Sequence, residues 1–367
     1  MKIAFVINKS WNIYNFRLSL IKALQALGHE IIAIAPPDEY SEKLEKEGCK
    51  FIPIHIASRG LNPLQDYKLY QALGVIFKKE KPDAILSYTI KPNIYGAFAA
   101  KKLNIPIICN VTGLGTVFIR KNPLYKIAHW LYKLAFKYPQ KIYFQNNDDF
   151  SLFIKLGLVN QSKAEMVPGS GVDLLKFIPR EKTITKPLHF LLVSRILQDK
   201  GIQEYIEAIR IIKAKQIKAT FALLGSVEEK NHSGISLQMI TNWVDEGLIT
   251  YLGFTDHTLK YYQDADCIVL PSYREGMPKS LLEAMAVGKP IITTNVPGCR
   301  DLVENGENGV LCEPKNSLSL ALAIETMCNL DAAKLVQMGE KSREMVLRTY
   351  DEKFVINKYI TTLNEIT

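Results

Sequence analysis

The sequence predicts an α/β protein with two doubly wound parallel sheets. Three observations carry that prediction. Short runs rich in Val and Ile alternate with stretches of helical periodicity along the chain. Apolar runs of that kind are strands buried on both faces, as in a parallel sheet with crossover helices. The pattern occurs twice, with one interruption at VPGSGVDLLKFIPREKTITKP (167–187), where prolines, glycines and charges gather as in a linker. The length of 367 residues exceeds what one core ordinarily holds, and 47% apolar residues are ample for two.

The first domain is expected over 1–167. Its strands are KIAFVIN (2–8), EIIAIAP (30–36), FIPIHI (51–56), DAILSYT (83–89), PIICNVT (106–112) and KIYFQN (141–146), with helical segments between most of them. After a linker at 168–187, the second domain (188–348) repeats the style with HFLLVSR (189–195), ATFALLG (219–225), ITYLG (249–253), CIVLPSY (267–273), PIITTN (290–295) and GVLCEP (309–314). Residues 349–367 read as a closing helix that returns toward the first domain. Doubly wound sheets bind ligands beyond the carboxyl ends of their strands, so the expected site is the cleft between the two halves.

Composition excludes several classes. No apolar run reaches the roughly 18 residues of a membrane-spanning helix, and the N-terminal MKIAFVIN reads as a strand rather than a signal peptide. The six cysteines show no CxxC spacing and no histidine clustering, which fits buried thiols in a reducing cytosol better than disulfides or zinc. Charge is uneven. Residues 1–180 hold 25 Lys and Arg against 13 Asp and Glu, and residues 181–367 hold 21 against 24, so +12 and −3 make the chain's +9. A basic half beside a near-neutral one points to an anionic partner. No nucleic-acid-binding module is recognisable.

The stretch SYREGMPKSLLEAMAVGKP (272–290) carries the first chemical signal. Pro278 suits a first helical turn and Gly288 a helix stop. A helix start after a strand offers N–H groups, near Gly276, Met277 and Lys279, at a positive dipole end, which is a place for phosphate. Glu283 lies five residues beyond Pro278, about 7.5 Å along the axis, within reach of a ribose. Glu275 precedes the turn and can face a sugar. The alternative is a capped surface helix with solvated glutamates. A second cluster favours the ligand: Arg195 ends a predicted strand and Lys200 opens the next helix, a fork and a point charge suited to a diphosphate.

These residues resemble a known family. Glu275 and Glu283 with seven residues between them, together with Arg195 and Lys200, are similar to the signature of the retaining group 4 glycosyltransferases, which have the GT-B fold of two facing Rossmann-like domains. PGSGVDLLKFIP (168–179) resembles that family's linker, and YLGFTD (251–256) its nucleobase-side loop. The resemblance spans essentially the whole chain. It implies catalytic roles for Arg195, Lys200 and Glu275: the two cations hold the donor diphosphate and Glu275 contacts the donor sugar. Donor-binding residues are then Arg195, Lys200, Gly225, Phe254, Ser272, Glu275, Gly276, Met277, Pro278, Lys279, Ser280 and Glu283. It implies no cofactor and no metal, because fixed cations and a helix N-terminus stabilise the developing charge. The acidic DAD at 264–266 reads as a solvated turn.

IYNFRLSLIKAL (13–24), DEYSEKL (38–44) and KPNIYGAFAAK (91–101) resemble a narrower group, the bacterial N-acetylgalactosaminyl- and N-acetylglucosaminyltransferases that act on undecaprenyl-diphosphate-linked sugars. Arg17, Lys91 and Thr112 are the acceptor-side candidates. The chain departs from the family twice. Its first glycine is Gly28, so NKSWNIYNF lacks the phosphate-cradling glycines of a Rossmann loop. NVTGLGTVF (110–118) places Thr112 where relatives often carry a histidine, so a dedicated base is not supplied there.

IRKNPLYKIAHWLYKLAFKYPQK (119–141) has six Lys and Arg and no acid. Lys126, Lys133 and Lys137 share a helical face with Trp130 nearby, and Leu124, Ile127, Leu131, Leu134 and Ala135 form an apolar stripe. Basic helices with interfacial aromatics dock on anionic membranes; the alternative is a core helix with solvated lysines. The expectation is therefore a cytoplasmic-face, peripherally membrane-bound transferase. Its donor is a UDP-N-acetylhexosamine and its acceptor a lipid-diphosphate-linked saccharide. A UDP-sugar epimerase of the same architecture and a non-catalytic nucleotide-sugar-binding partner of another transferase are the alternatives.

Overall fold

The computed structural model describes residues 1–57, 62–114, 123–229, 231 and 233–367. The chain divides into two compact units, Met1–Ser170 with Lys353–Thr367, and Gly171–Glu352.

The first unit runs β1 (Lys2–Val6), α1 (Ser10–Ala26), β2 (Glu30–Ala35), α2 (Ser41–Lys46), β3 (Lys50–Pro53), α3 (Pro63–Glu80), β4 (Ala84–Tyr88), α4 (Ile90–Leu103), β5 (Ile107–Val111), α5 (Pro123–Ala135), β6 (Lys141–Phe144), α6 (Asn147–Lys155) and β7 (Ala164–Met166). The seven strands are parallel in the order β3-β2-β1-β4-β5-β6-β7. The strand order turns back between β1 and β4, which share the register Ala4↔Ile85. β4 and β5 are buried throughout, which is why their sequences show no polar alternation. α3 begins as its sequence dictates: Asn62 accepts hydrogen bonds from the N–H groups of Leu64 and Gln65, and Pro63 takes the first helical position. β7 has only three residues and no apolar run. Its register with β6 makes it a strand, so sequence pattern alone passes over it.

The second unit runs β8 (Leu188–Val193), α7 (Ile202–Ala214), β9 (Ala219–Leu224), α8 (Leu237–Asp245), β10 (Thr250–Tyr251), α9 (Leu259–Asp264), β11 (Cys267–Leu270), α10 (Lys279–Ala286), β12 (Ile291–Thr294), β13 (Gly309–Cys312), α11 (Ser317–Asn329) and α12 (Ala332–Thr349). Its sheet is also parallel, in the order β10-β9-β8-β11-β12-β13, and turns back between β8 and β11. Val172 and Phe177, early in this unit, are buried in its core. β8, β10 and β11 each end two or three residues before the apolar runs suggest. The residues past those ends leave the ladder and form the loops of the candidate site.

The last helix, α13 (Glu352–Ile366), packs Val355, Tyr359 and Leu363 into the core around Phe5, Leu86 and Ile108 of the first unit. The Tyr359 hydroxyl hydrogen-bonds the Asn110 side chain, and Tyr143 and Thr362 hydroxyls meet at 2.5 Å. All six cysteines are buried free thiols. No described helix is long and apolar enough to cross a membrane.

Candidate functional site

The chain leaves β8 through Ser194 and Arg195, makes a 3-10 turn at Gln198–Lys200, and enters α7. Gly201 joins the turn to the helix at φ +73°, and a Cβ there would lie 2.1 Å from the Pro271 carbonyl oxygen. The backbone after β8 thus rests directly on the end of β11. That approach brings Lys200 to the loop that carries Glu275. Its ammonium contacts the Glu275 carboxylate, which also accepts the Ser272 hydroxyl at 2.7 Å. The two charged side chains are only 16% and 13% exposed, so the pair is largely out of water.

The Glu275 loop is anchored on several sides. The Thr294 hydroxyl donates to the Ser272 carbonyl at 2.5 Å. The Tyr273 N–H donates to the Asp199 carbonyl at 2.9 Å, and its hydroxyl to Glu204 at 2.6 Å. The Glu275 N–H donates to the Pro297 carbonyl at 3.2 Å. Gly298 sits at φ +79°, and a Cβ there would be 2.4 Å from the Gly276 oxygen and 2.7 Å from that of Glu275. Only a glycine lets this turn lie so close.

Pro278 then takes an extended conformation as the cap of α10 and supplies no side-chain cap, while Lys279 and Ser280 fill the first turn. The start of this helix is a positive dipole end. Met277 packs against the core below. Glu283 follows on α10, half-buried. Burial pushes its carboxyl above the ordinary carboxylate range, while the Lys279 charge and the Tyr262 and Thr258 hydroxyls pull the other way. The Thr258 hydroxyl is 3.5 Å from it, and Tyr262 is fully buried. Such a carboxylate is held ready to accept hydrogen bonds.

Arg195 does not join Lys200 and Glu275. It lies 3.5 Å from Glu228 and is 38% exposed. Gly225, at the end of β9, is pressed against β8, since a Cβ would meet the Ser194 oxygen at 1.7 Å. Its carbonyl accepts the Tyr251 hydroxyl at 3.0 Å and its N–H donates to Gly253 at 2.8 Å. Phe254 follows, exposed. Tyr262, Thr258, Glu204 and Gly298 are supports that sequence reasoning passed over. The Pro297-Gly298 dipeptide was a turn signal available for the last of them.

In the first unit the corresponding reversal, between β1 and β4, carries Arg17 and Lys91. Arg17 is buried with its guanidinium 4.3 Å from the centre of the Tyr88 ring, and its Nε has no hydrogen-bond partner among the described residues. Lys91, in the first turn of α4, pairs with Asp66 of α3 at 2.8 Å, both nearly buried. Thr89 links β4 to α4 at φ +69°, a strained conformation for a non-glycine residue. Thr112 is half-buried just past β5.

On α5, Lys126, Lys133 and, just beyond its end, Lys137 are exposed, as is Trp130 at 59%. The apolar stripe differs from the expected one. Ala128, Tyr132 and Ala135 are the fully buried positions, with Phe136 after them, while Ile127 is 46% exposed. Two alanines allow close packing, and the Tyr132 ring fits edge-on against Phe136 and Phe153. Residues 119–122 and 115–118, and the Leu124 side chain, lie outside the described residues.

Among the described residues no three His, Cys, Asp or Glu side chains group in a way that suits a metal ion. Two family models match the sequence, glycosyl transferases group 1 over residues 176–345 and glycosyl transferase 4-like over 2–146. Over the whole chain, and 99% of the other protein, it is 31% identical to N,N'-diacetylbacillosaminyl-diphospho-undecaprenol alpha-1,3-N-acetylgalactosaminyltransferase of Campylobacter jejuni. The chain belongs to the group 4 glycosyltransferase family. The enzyme is also 28% identical, over 70% of its chain and 68% of the other, to UDP-Gal:alpha-D-GlcNAc-diphosphoundecaprenol alpha-1,3-galactosyltransferase of Escherichia coli. The crystal structure of Anabaena HepE in complex with UDP matches this glycosyltransferase over both whole chains, with 20% identity and a TM-score of 0.78, which shows the GT-B fold.

Proposed function

We propose that this glycosyltransferase moves an N-acetylhexosamine from UDP to a saccharide carried on a polyprenyl diphosphate, with retention at the anomeric carbon and without a metal ion. The observation that carries the reading is the Lys200–Glu275–Ser272 group beside the start of α10, at the β8/β11 reversal where doubly wound sheets bind nucleotides. The Campylobacter and Escherichia relatives are named for transfer to diphosphoundecaprenol-linked sugars, which supports the acceptor class.

Glu275 accepts hydrogen bonds from the donor-sugar hydroxyls, and the donor enters beside the Lys200 ammonium. As the bond from the anomeric carbon to the phosphate oxygen breaks, negative charge grows on the UDP. Lys200 and the first-turn amides near Met277 to Ser280 are fixed donors for that charge, and preorganised donors of this kind supply much of the barrier lowering; Arg195 joins them by turning from its contact with Glu228. The acceptor hydroxyl bonds to the anomeric carbon on the face the phosphate leaves, and its proton passes to the departing phosphate oxygen. No side-chain base is needed at Thr112. Glu283 holds the ribose. Arg17 and Lys91 serve the acceptor diphosphate, and Lys126, Trp130, Lys133 and Lys137 seat the enzyme on the anionic inner face of the membrane.

The test uses the purified enzyme, UDP-N-acetylgalactosamine or UDP-N-acetylglucosamine, and an undecaprenyl-diphosphate-linked mono- or disaccharide. The expected product is one α-linked N-acetylhexosamine longer, and formed at the same rate in EDTA. No transfer to any lipid-linked acceptor, or epimer formed from the donor alone, would overturn the reading.

A further inference from the structure

Arg17 is a buried cation without a counter-charge. It is 6% exposed, its Nε has no hydrogen-bond partner, and no carboxylate pairs with it among the described residues. The Tyr88 ring lies 4.3 Å from its guanidinium. A ring face offsets only a small part of the cost of taking an arginine out of water, and a counter-charge is needed for the rest. Other charges buried in the chain show the contrast: Asp66 pairs with Lys91, Glu80 with Lys50, and Asp266 with Lys182.

The guanidinium stands over the residue that hands the chain to α4. Tyr88 ends β4, and the next residue, Thr89, precedes the helix. A threonine there ordinarily caps the helix by accepting from a first-turn amide. Thr89 does not: its hydroxyl oxygen is buried without a partner among the described residues, and the backbone is held at φ +69°. Strain of this kind persists where the surroundings over-determine it, often at ligand sites. Pro92, third in the helix, has no N–H, so Ile90 and Lys91 supply the amides that lack an intrahelical acceptor. The Tyr88 ring is itself fixed. It lies parallel to Phe5 at 6.3 Å, and the Tyr359 hydroxyl, which donates to Asn110, faces its own hydroxyl. An unpaired cation, an uncapped helix start and an unused hydroxyl thus gather where the strand order reverses between β1 and β4, the place at which doubly wound sheets take ligands.

From this geometry we infer that Arg17, the Thr89 hydroxyl and the Ile90 and Lys91 amides hold one phosphate group, and that this group supplies the charge Arg17 lacks. Every one of these groups can donate, so the ligand has to be rich in acceptors and negative. A phosphate offers three such oxygens, where a carboxylate has two. The inference rests on the proposed polyprenyl diphosphate acceptor and deepens it: it adds the groups that complete the anion site and ties occupation to stability. The Lys91 ammonium keeps its pair with Asp66 and brings no net charge, so Arg17 carries the electrostatic part. An empty site leaves a buried cation unpaired, and a bound phosphate removes that cost.

Inorganic diphosphate is the probe, with UDP at saturation so that the donor-side cations are occupied. Binding is measured by calorimetry and thermal melting on the full chain for wild type, Arg17→Met and Thr89→Val. Methionine keeps a long stem over the Tyr88 ring, and valine keeps the shape of threonine. Loss of a charged partner from a buried contact should lower diphosphate affinity about thirtyfold or more in Arg17→Met. Loss of one neutral hydrogen bond should lower it about fivefold in Thr89→Val. Without diphosphate, Arg17→Met should melt at or above the wild-type temperature, because it removes an uncompensated buried charge. Diphosphate should raise the melting temperature of wild type and not of that variant. Wild-type affinity in either folded variant, or a wild type that binds no diphosphate beside UDP, overturns the site. If Arg17→Met melts low and diphosphate leaves wild-type melting unchanged, Arg17 is a packing residue and the inference falls. Inhibition kinetics separate a lipid-linked phosphate from a free one: inorganic diphosphate should compete with the lipid-linked acceptor, and competition with the UDP-sugar alone would overturn the acceptor assignment. Arg17-dependent diphosphate binding in an enzyme that transfers no sugar to lipid-linked acceptors would sink the proposed function and leave the phosphate site.

Discussion

Gly298 decides where the Glu275 loop lies, and Gly298→Ala tests that dependence quantitatively. A Cβ at this position would stand 2.4 Å from the Gly276 oxygen, whereas ordinary contact begins near 3.4 Å. The obstructing atoms are backbone, so the loop has to yield by about 1 Å, and Glu275 moves with it. A misplacement of about 1 Å in a positioned group can cost about 10²-fold in rate. The substitution also places an alanine at φ +79°, which costs roughly 1–2 kcal/mol by itself. Gly306→Ala separates the two effects. Gly306 has φ +84° with nothing within 4 Å of its missing Cβ, so only the backbone penalty applies there. Both variants should lower Tm by a few degrees, but only Gly298→Ala should lower kcat/KM for sugar transfer by about 10²-fold. Equal kcat/KM in the two folded variants would refute the claim that this close approach positions Glu275.

Arg195→Ala should lower kcat by about 10²–10³-fold, because its charge is needed chiefly as the phosphate departs, whereas Glu283→Ala should mainly raise KM for the donor. Saturation kinetics separate the two. Burial raises the Glu283 carboxyl above its ordinary 4.5, so its charged form is lost at a higher pH than for a solvated glutamate. UDP affinity should therefore fall as pH drops toward that raised value, and Glu283→Gln should flatten the profile in a calorimetric titration. Burial, and then the Lys182 charge, lower Lys289 from 10.5 to about 8. The folded state carries that cost below about pH 8 and sheds it as pH rises toward 10.5. Lys289→Met should accordingly stabilise the enzyme by about 1–3 kcal/mol at pH 7, with the gain vanishing near the upper value, as read by denaturant unfolding. Changing Lys126, Lys133 and Lys137 together to glutamate should release the enzyme from phosphatidylglycerol vesicles, because each basic residue near an anionic surface contributes about 1 kcal/mol. Unchanged co-sedimentation of the folded triple variant would make α5 an ordinary surface helix.

Sequence by itself determined the fold class and singled out the donor-side candidates. The Val- and Ile-rich runs had to be buried parallel strands, since no other structure uses a short apolar run with helices on either side so economically. The placing of Glu275, Pro278 and Glu283 was legible because it is local: a strand end, a turn, a helix start, and spacing along one helix. What depends on residues far apart in sequence was not legible. The Lys200–Glu275 contact joins positions 75 apart and exists because Gly201 lets one backbone rest on another. Gly298 carries only a turn signal in the sequence, and the fold alone sets the Gly276 carbonyl beside it. Lys91 read as an acceptor-side candidate, and only the packing of α3 on α4 brought Asp66 to it. β7 and the true buried face of α5 were likewise settled by neighbours, through a sheet edge to pair with and rings to pack against. Periodicity records which side of an element is apolar. It does not record which partner that side meets, because tertiary contacts are made between segments whose sequences carry no mark of one another.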